Sequence, residues 1–95
     1  MSRLDGQIAI VTAAGGGIGQ ATARLFIERG AKVIATDIDE AGLAETVELA
    51  GGSADIRALK ADATSWDDAR RAVATAKEAF GGLTTLINVV GGSKP

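Results

Sequence analysis

Cysteine, histidine and tyrosine are all absent from this 95-residue chain. Without cysteine there are no disulfides, no thiolate metal sites and no cysteine nucleophile. Without histidine, Ser-His-Asp triads, imidazole metal ligands and the usual general base near neutral pH are excluded. The lack of tyrosine removes a phenolic acid. No residue cluster suggests a metal site. Nor is there an excess of positive charge: 10 Lys+Arg stand against 12 Asp+Glu, a net charge of −2 with no basic block. Electrostatic binding to nucleic acid or to an anionic membrane is therefore disfavoured. No stretch approaches the roughly 18 apolar residues of a membrane helix. Asp5 and Gln7 interrupt the beginning of the chain, and Ile8–Val11 is too short for the core of a signal peptide. The expectation is a cytoplasmic protein.

What remains is a globular composition, 46% apolar and 23% charged, enough for one compact domain over residues 1–95. Two kinds of segment alternate. Residues 7–12, 31–37, 56–62 and 83–90 are short and mostly apolar, as strands covered on both faces are. Between them lie three helical stretches. The first runs from Ile18 to Arg29, with Ile18, Ala21, Leu25 and Phe26 along one side and Gly30 as a stop. The second follows Asp39, a natural cap, and carries Leu43, Val47 and Ala50 on one face. The third opens at Ser65-x-x-Asp68, a variant of the capping box, and shows the stripe Trp66, Ala69, Val73, Ala76, Phe80.

The order β-α-β-α-β-α-β forces the strands to run parallel, because each helical crossover returns the chain to the same end of the sheet. Right-handed crossovers then favour an α/β, Rossmann-like doubly wound sheet in the order 3-2-1-4. The fourth strand has an interior composition, yet only Gly91-Gly92-Ser93-Lys94-Pro95 follow it. The fold is thus expected to be partial. Its open edge is expected to be covered either by a missing C-terminal half or by self-association.

Thr12-Ala13-Ala14-Gly15-Gly16-Gly17-Ile18-Gly19 joins the first strand to the first helix. A helix N-terminus there offers unpaired N–H groups and about half a positive charge, which suits a pyrophosphate. Gly15, Gly16 and Gly17 let the backbone approach phosphates closely, and Gly19 allows tight helix-to-sheet packing. Asp37 ends the second strand 20 residues after Gly17 (37 − 17), the offset of an acid that accepts from the adenosine ribose hydroxyls. Its charge would repel a 2′-phosphate. No cation occurs in Ile38-Asp39-Glu40 or at Gly16, so NAD is expected over NADP. The alternative for Asp37 is capping of the next helix.

Thr12 to Gly19 resembles the T-G-x-x-x-G-[I/L]-G loop of the short-chain dehydrogenases/reductases, with Ala13 in place of the first glycine. Asp62-Ala63 resembles that family's adenine-contacting acid after the third strand, and Asn88-Val89-Val90-Gly91 resembles its N-N-A-G segment. The resemblance spans essentially the whole chain but only the N-terminal part of the family's length. It implies an oxidoreductase that exchanges hydride between a secondary alcohol and a ketone. By that likeness the cofactor-binding set is Ala14, Gly15, Gly16, Gly17, Ile18 and Gly19 at the pyrophosphate, Asp37 and Ile38 at the ribose, Asp62 and Ala63 at adenine, and Asn88, Val90 and Gly91 on the nicotinamide side. Asp62 could instead serve the start of the third helix, and Asn88 could be a buried amide tying strands together. The family's Tyr, the Lys four residues later and the orienting Ser have no counterpart here. No catalytic residue is therefore nominated, and the 95 residues alone are expected not to turn over. The other reading is a non-catalytic half-fold that binds nucleotide or pairs with itself.

Overall fold

A computed structural model describes residues 3–89. The expected positions Val90 and Gly91 lie outside the described residues. The elements are β1 (Ile8–Val11), α1 (Gly17–Glu28), β2 (Lys32–Asp37), α2 (Glu40–Leu49), β3 (Ile56–Lys60), α3 (Trp66–Phe80) and β4 (Thr85–Ile87). All pairs are parallel and the sheet order is β3-β2-β1-β4. This is the partial Rossmann-like α/β topology the alternation predicts. The strands are shorter than expected, β4 most of all, because the ladder bonds that define a strand stop where the chain turns toward the loops.

Alternate side chains of the central strands enter two separate cores. Val11, Val33 and Ala35 pack with Ala14, Ala23 and Leu43 beneath α1 and α2. Ile10 and Ile34 pack with Ala72 and Ala76 beneath α3. Residues facing one way on neighbouring strands share a register row, so Ile34, Ile10 and Leu86 lie side by side on the α3 face. α3 covers the first two but not the third: Leu86 is 62% exposed.

Two helical faces differ in part from the expected ones, although Phe26 on α1 and Val73, Ala76 and Phe80 on α3 pack against the cores as expected. On α1, Ile18 and Leu25 face solvent, and the buried residues are Gly19 and Ala23, with Phe26 and Ile27 packed against the core. The reason is proximity. A Cβ on Gly19 would lie 2.0 Å from the Ala13 carbonyl oxygen, so only the small-residue face can approach the sheet this closely. On α3, Trp66 and Ala69 are exposed and Ala72 is buried with Ala76. Trp66 sits in the first turn, beyond the sheet, and the helix turns Ala72 rather than Ala69 onto Ile10 and Ile34. The α2 face is the expected one, with Leu43 buried and Val47 and Ala50 against the core.

Candidate functional site

All three helices begin at the same edge of the sheet, where the parallel strands end. Two beginnings are closed by side chains. Asp39 caps α2, its Oδ1 accepting from Gly42 N at 3.0 Å, with Glu40 in the first turn. Ser65 caps α3, its Oγ accepting from Asp68 N at 3.2 Å, with Asp67 and Asp68 in the first turn. α1 is different. Its N-cap is Gly16, no side chain caps it, and no acid occupies its first turn. Gly16, Gly17 and Ile18 are exposed, and a Cβ on Gly16 or Gly17 would meet nothing within 4 Å. The orphan N–H groups of a helix start are therefore left facing open space.

The loop ahead of this opening is tightly fixed. Ala14 N donates to Thr36 O at 2.9 Å, and Thr12 N to Ile87 O at 3.0 Å. Ala13 takes a left-handed φ of 53°, a conformation that favours the glycine it replaces in the resembling motif. Gly15 N donates to Asp37 Oδ2 at 2.9 Å, while Asp37 Oδ1 accepts from Asp39 N at 3.0 Å. Thus Asp39, not Asp37, caps α2, and the Asp37 carboxylate is held against the glycine loop. A Cβ on Gly15 would lie 2.8 Å from Asp37 Oδ2; this glycine is what admits the carboxylate. Asp37 is partly exposed and Ile38 is 65% exposed beside it.

Asp62, Ala63 and Asn88 come together in a second place, a cleft of about 240 Å³ that Thr12 and Thr36 also line. Its floor is apolar, with Ile10, Ala72, Val73, Leu83 and Leu86. Asp62 Oδ1 accepts from Thr64 N at 2.8 Å and from Thr64 Oγ at 2.7 Å. The Thr64 hydroxyl first, and then its amide, hold the Asp62 carboxyl below its usual value of 3.8. Asp68 does not complete a reciprocal capping box. Ser65 N is taken by Asp62 O, and Asp68 Oδ2 instead accepts from Asp62 N at 2.8 Å. That bond, and after it the Arg71 guanidinium, holds the Asp68 carboxyl below its usual value. Asp62 therefore belongs to a closed turn at the start of α3 and also borders the cleft. Asn88 is exposed, and its Oδ1 accepts from Thr12 Oγ at 3.0 Å. It ties β4 to β1 at the cleft mouth, so it is not the buried amide of the alternative reading.

The expected residues therefore form two groups: Ala14–Gly19 with Asp37 and Ile38 around the α1 start, and Asp62, Ala63 and Asn88 in the cleft. Three further residues support the first group. Gly42 lets α2 lie against the loop, since a Cβ there would be 2.3 Å from Gly15 O. Buried Thr46 donates to Ala14 O at 2.6 Å, and Gln20 Nε2 donates to Thr46 Oγ at 3.0 Å. The signals were a lone glycine inside a helical stretch and a polar residue on the apolar face of α2.

Residues 7–95 match the family model described as short chain dehydrogenase. The chain belongs to the short chain dehydrogenase family. It is 45% identical over 94 residues to 2,5-dichloro-2,5-cyclohexadiene-1,4-diol dehydrogenase LinX of Sphingobium indicum, covering 95% of this chain and 36% of that relative. It is 41% identical over 90 residues to zerumbone synthase of Zingiber zerumbet, covering 94% of this chain and 33% of that enzyme. Among solved structures, the apo-form glucose dehydrogenase of Caenorhabditis elegans superposes with a TM-score of 0.88 at 35% identity, over 97% of this chain and 40% of that one. A family member from Burkholderia phymatum in complex with NAD gives 0.82 at 33% identity, over 90% of this chain and 31% of that one. The chain thus spans about a third of the length of its relatives. Short chain dehydrogenases are oxidoreductases that use nicotinamide dinucleotides. Among the described residues, no helix is long and apolar enough to cross a membrane, and no group of acids could hold a metal.

Proposed function

We propose that these residues form the NAD-holding part of a short-chain oxidoreductase that interconverts a secondary alcohol and a ketone, and that the 95-residue chain alone does not turn over. The observation that carries this reading is the uncapped start of α1 with the Asp37 carboxylate fixed beside it on Gly15 N. The amides after Gly16 would hold the pyrophosphate and Asp37 would accept from the adenosine ribose hydroxyls. Asp62 and Ala63 would border adenine, and Asn88 would lie on the nicotinamide side. Bound there, the cofactor would supply the hydride acceptor or donor. Asp37 would also repel a 2′-phosphate, which supports NAD over NADP. The chain has no tyrosine, so nothing in it matches the family's proton donor, and a general acid must reach the reacting atom to act. The same reading includes a cytoplasmic location, which cell fractionation would test.

Titration of the isotopically labelled chain with NAD and NADP is the test. Amide shifts at Gly15–Gly19 and Asp37 that saturate with NAD before NADP are expected, with no alcohol oxidation. Unchanged spectra at millimolar NAD would refute the binding role, and turnover by the purified chain would refute the claim of inactivity.

A second reading is favoured by Leu86, 62% exposed on β4, whose outer edge pairs with no strand among the described residues. In it the chain associates with itself through that edge. Sedimentation tests it: a monomer at all concentrations would exclude it.

A further inference from the structure

The dinucleotide reading gives tasks to Asp37 and to the amides after Gly16, but none to the buried polar contact beneath them. Thr46 lies in the middle of α2 and is fully buried. Its hydroxyl donates to Ala14 O at 2.6 Å, with Gly42 O, at 3.0 Å, the other acceptor within reach of the same hydrogen. Gln20 Nε2, on α1, donates to the hydroxyl from the other side at 3.0 Å. A single threonine thus joins α1, α2 and the loop between β1 and α1.

The Ala14 carbonyl and the Gly15 N–H belong to one planar peptide unit. Thr46 holds its oxygen, and Asp37 Oδ2 holds its N–H at 2.9 Å. A peptide that leads into Gly15-Gly16-Gly17 has unusual freedom to rotate. Rotated by half a turn, it would turn its oxygen toward the Asp37 carboxylate and take the N–H away from it. The Thr46 hydroxyl opposes that rotation, because the Ala14 oxygen is its nearest acceptor and its surroundings are closed to water. Gly42 is what brings the hydroxyl within reach: a Cβ there would lie 2.3 Å from Gly15 O and push α2 away from the loop.

We propose that Thr46 is a positioning residue for Asp37. By fixing the Ala14–Gly15 peptide it sets the carboxylate that would accept from the ribose, and through it the preference for NAD over its 2′-phosphorylated form. This rests on the dinucleotide reading above. Thr46 touches no ligand in this scheme and acts only through the peptide.

The test compares wild type, Thr46→Val and Thr46→Ser in the full 95-residue chain, by titration with NAD and NADP. Thr46→Val keeps the shape and removes the hydroxyl. Its affinity for NAD is expected to fall about tenfold, the size of one lost buried hydrogen bond, while NADP binding changes little, so the ratio of the two contracts. Thr46→Ser keeps the hydroxyl and should keep the wild-type ratio. A merely structural threonine would lower both affinities together. An unchanged ratio in folded Thr46→Val, or a contracted one in Thr46→Ser, overturns the proposal. If Thr46→Val does not fold, Thr46→Ala, which also lacks the hydroxyl, is read in the same way: a contracted ratio supports the clamp, and an unchanged one overturns it. If wild type binds no NAD, the dinucleotide reading itself has failed, and this inference falls with it. If wild type binds but the ratio ignores Thr46, only this inference has failed.

Discussion

The start of α1 and the start of α3 stand at the same edge of the sheet and are built by opposite means. At α3, Ser65 caps, Asp67 and Asp68 fill the first turn, and Asp68 reaches back to Asp62 N at 2.8 Å. A side-chain cap and first-turn acids, two devices that neutralise a helix N-terminus, are both present there. At α1 both are missing, and three glycines take their place. A sequence selected for helix stability alone would treat the two alike. Leaving one start unsatisfied while closing the other costs stability and leaves exposed N–H groups at one corner only, the feature on which the proposed pyrophosphate role rests.

The largest effect should come from closing the gap between α1 and the sheet. A Cβ on Gly19 would sit 2.0 Å from Ala13 O, against backbone that cannot step aside. Gly19→Val should cost about 3 kcal/mol, at the upper end for an overpacked site, and urea unfolding would measure it. Relative to the roughly 5–15 kcal/mol that holds a domain together, that is a severe loss. Glu78→Gln, on the exposed side of α3, should change stability by no more than about 0.5 kcal/mol.

The comparison can also be reversed by making α1 resemble α3. Gly16 has an extended backbone, φ −178°, that any residue adopts, and open space where a side chain would go. Gly16→Asp should therefore fit, cap α1, and raise stability by about 0.5 kcal/mol through the cap and the helix dipole. The same carboxylate would occupy the amides and repel a pyrophosphate, so NAD affinity should fall at least about tenfold, some 1.4 kcal/mol. Opposite signs in melting temperature and in NAD titration are the expected result. A variant that gains stability and binds NAD as before would mean that the bare cap is not the ligand site.

The sheet order and the caps at Asp39 and Ser65 were legible because each depends on local chemistry: alternation of apolar runs, or a short polar side chain before a helix. The role of Asp37 was legible in position but not in geometry. Two acids two residues apart can each cap a helix, and only the fold shows Asp37 turned to Gly15 and Asp39 to Gly42. Periodicity finds Phe26 on α1 but misplaces Ile18 and Leu25, because it favours large apolar residues, whereas close packing here selects Gly19 and Ala23. Thr46 stood out only as a polar residue on the apolar face of α2, with nothing to give its role. Its partner, Ala14 O, is 32 residues away, and nothing local marks a threonine on an apolar face as a link between helices.

A smaller effect should follow from restoring the glycine of the family motif. Ala13 holds a φ of 53°, which costs an L-residue with a Cβ about 1 kcal/mol. Glycine would remove that strain but add freedom to the unfolded chain, offsetting about half of it. Ala13→Gly should stabilise the chain by about 0.5 kcal/mol in urea unfolding, with little change in NAD affinity because Thr36 O already fixes Ala14 N.

The smallest effect separates the two helix starts by pH. Asp62 and Asp68 both have carboxyls held below 3.8 in the folded chain, Asp62 chiefly by the Thr64 hydroxyl and Asp68 chiefly by the Asp62 amide. A folded pKa below the unfolded one means that the unfolded chain binds protons first as pH falls. The stabilisation is therefore complete above 3.8 and is lost as pH drops through the lowered folded values. Both groups are solvent-exposed, so the total effect is small, but it is local. Protection from amide exchange, relative to the intrinsic rate, should fall first at Asp62 and Thr64, whose amides donate to the two carboxylates, as the solution is acidified below that range. Because α1 has no acid in its first turn, its own amides should not follow until the fold as a whole gives way. Asp68→Asn should remove most of the early change at Asp62. If Gln20, whose amide donates to Gly16 O, lost protection together with the α3 start, the two corners would be one cooperative unit, and the contrast between an open and a closed helix start would have no thermodynamic meaning.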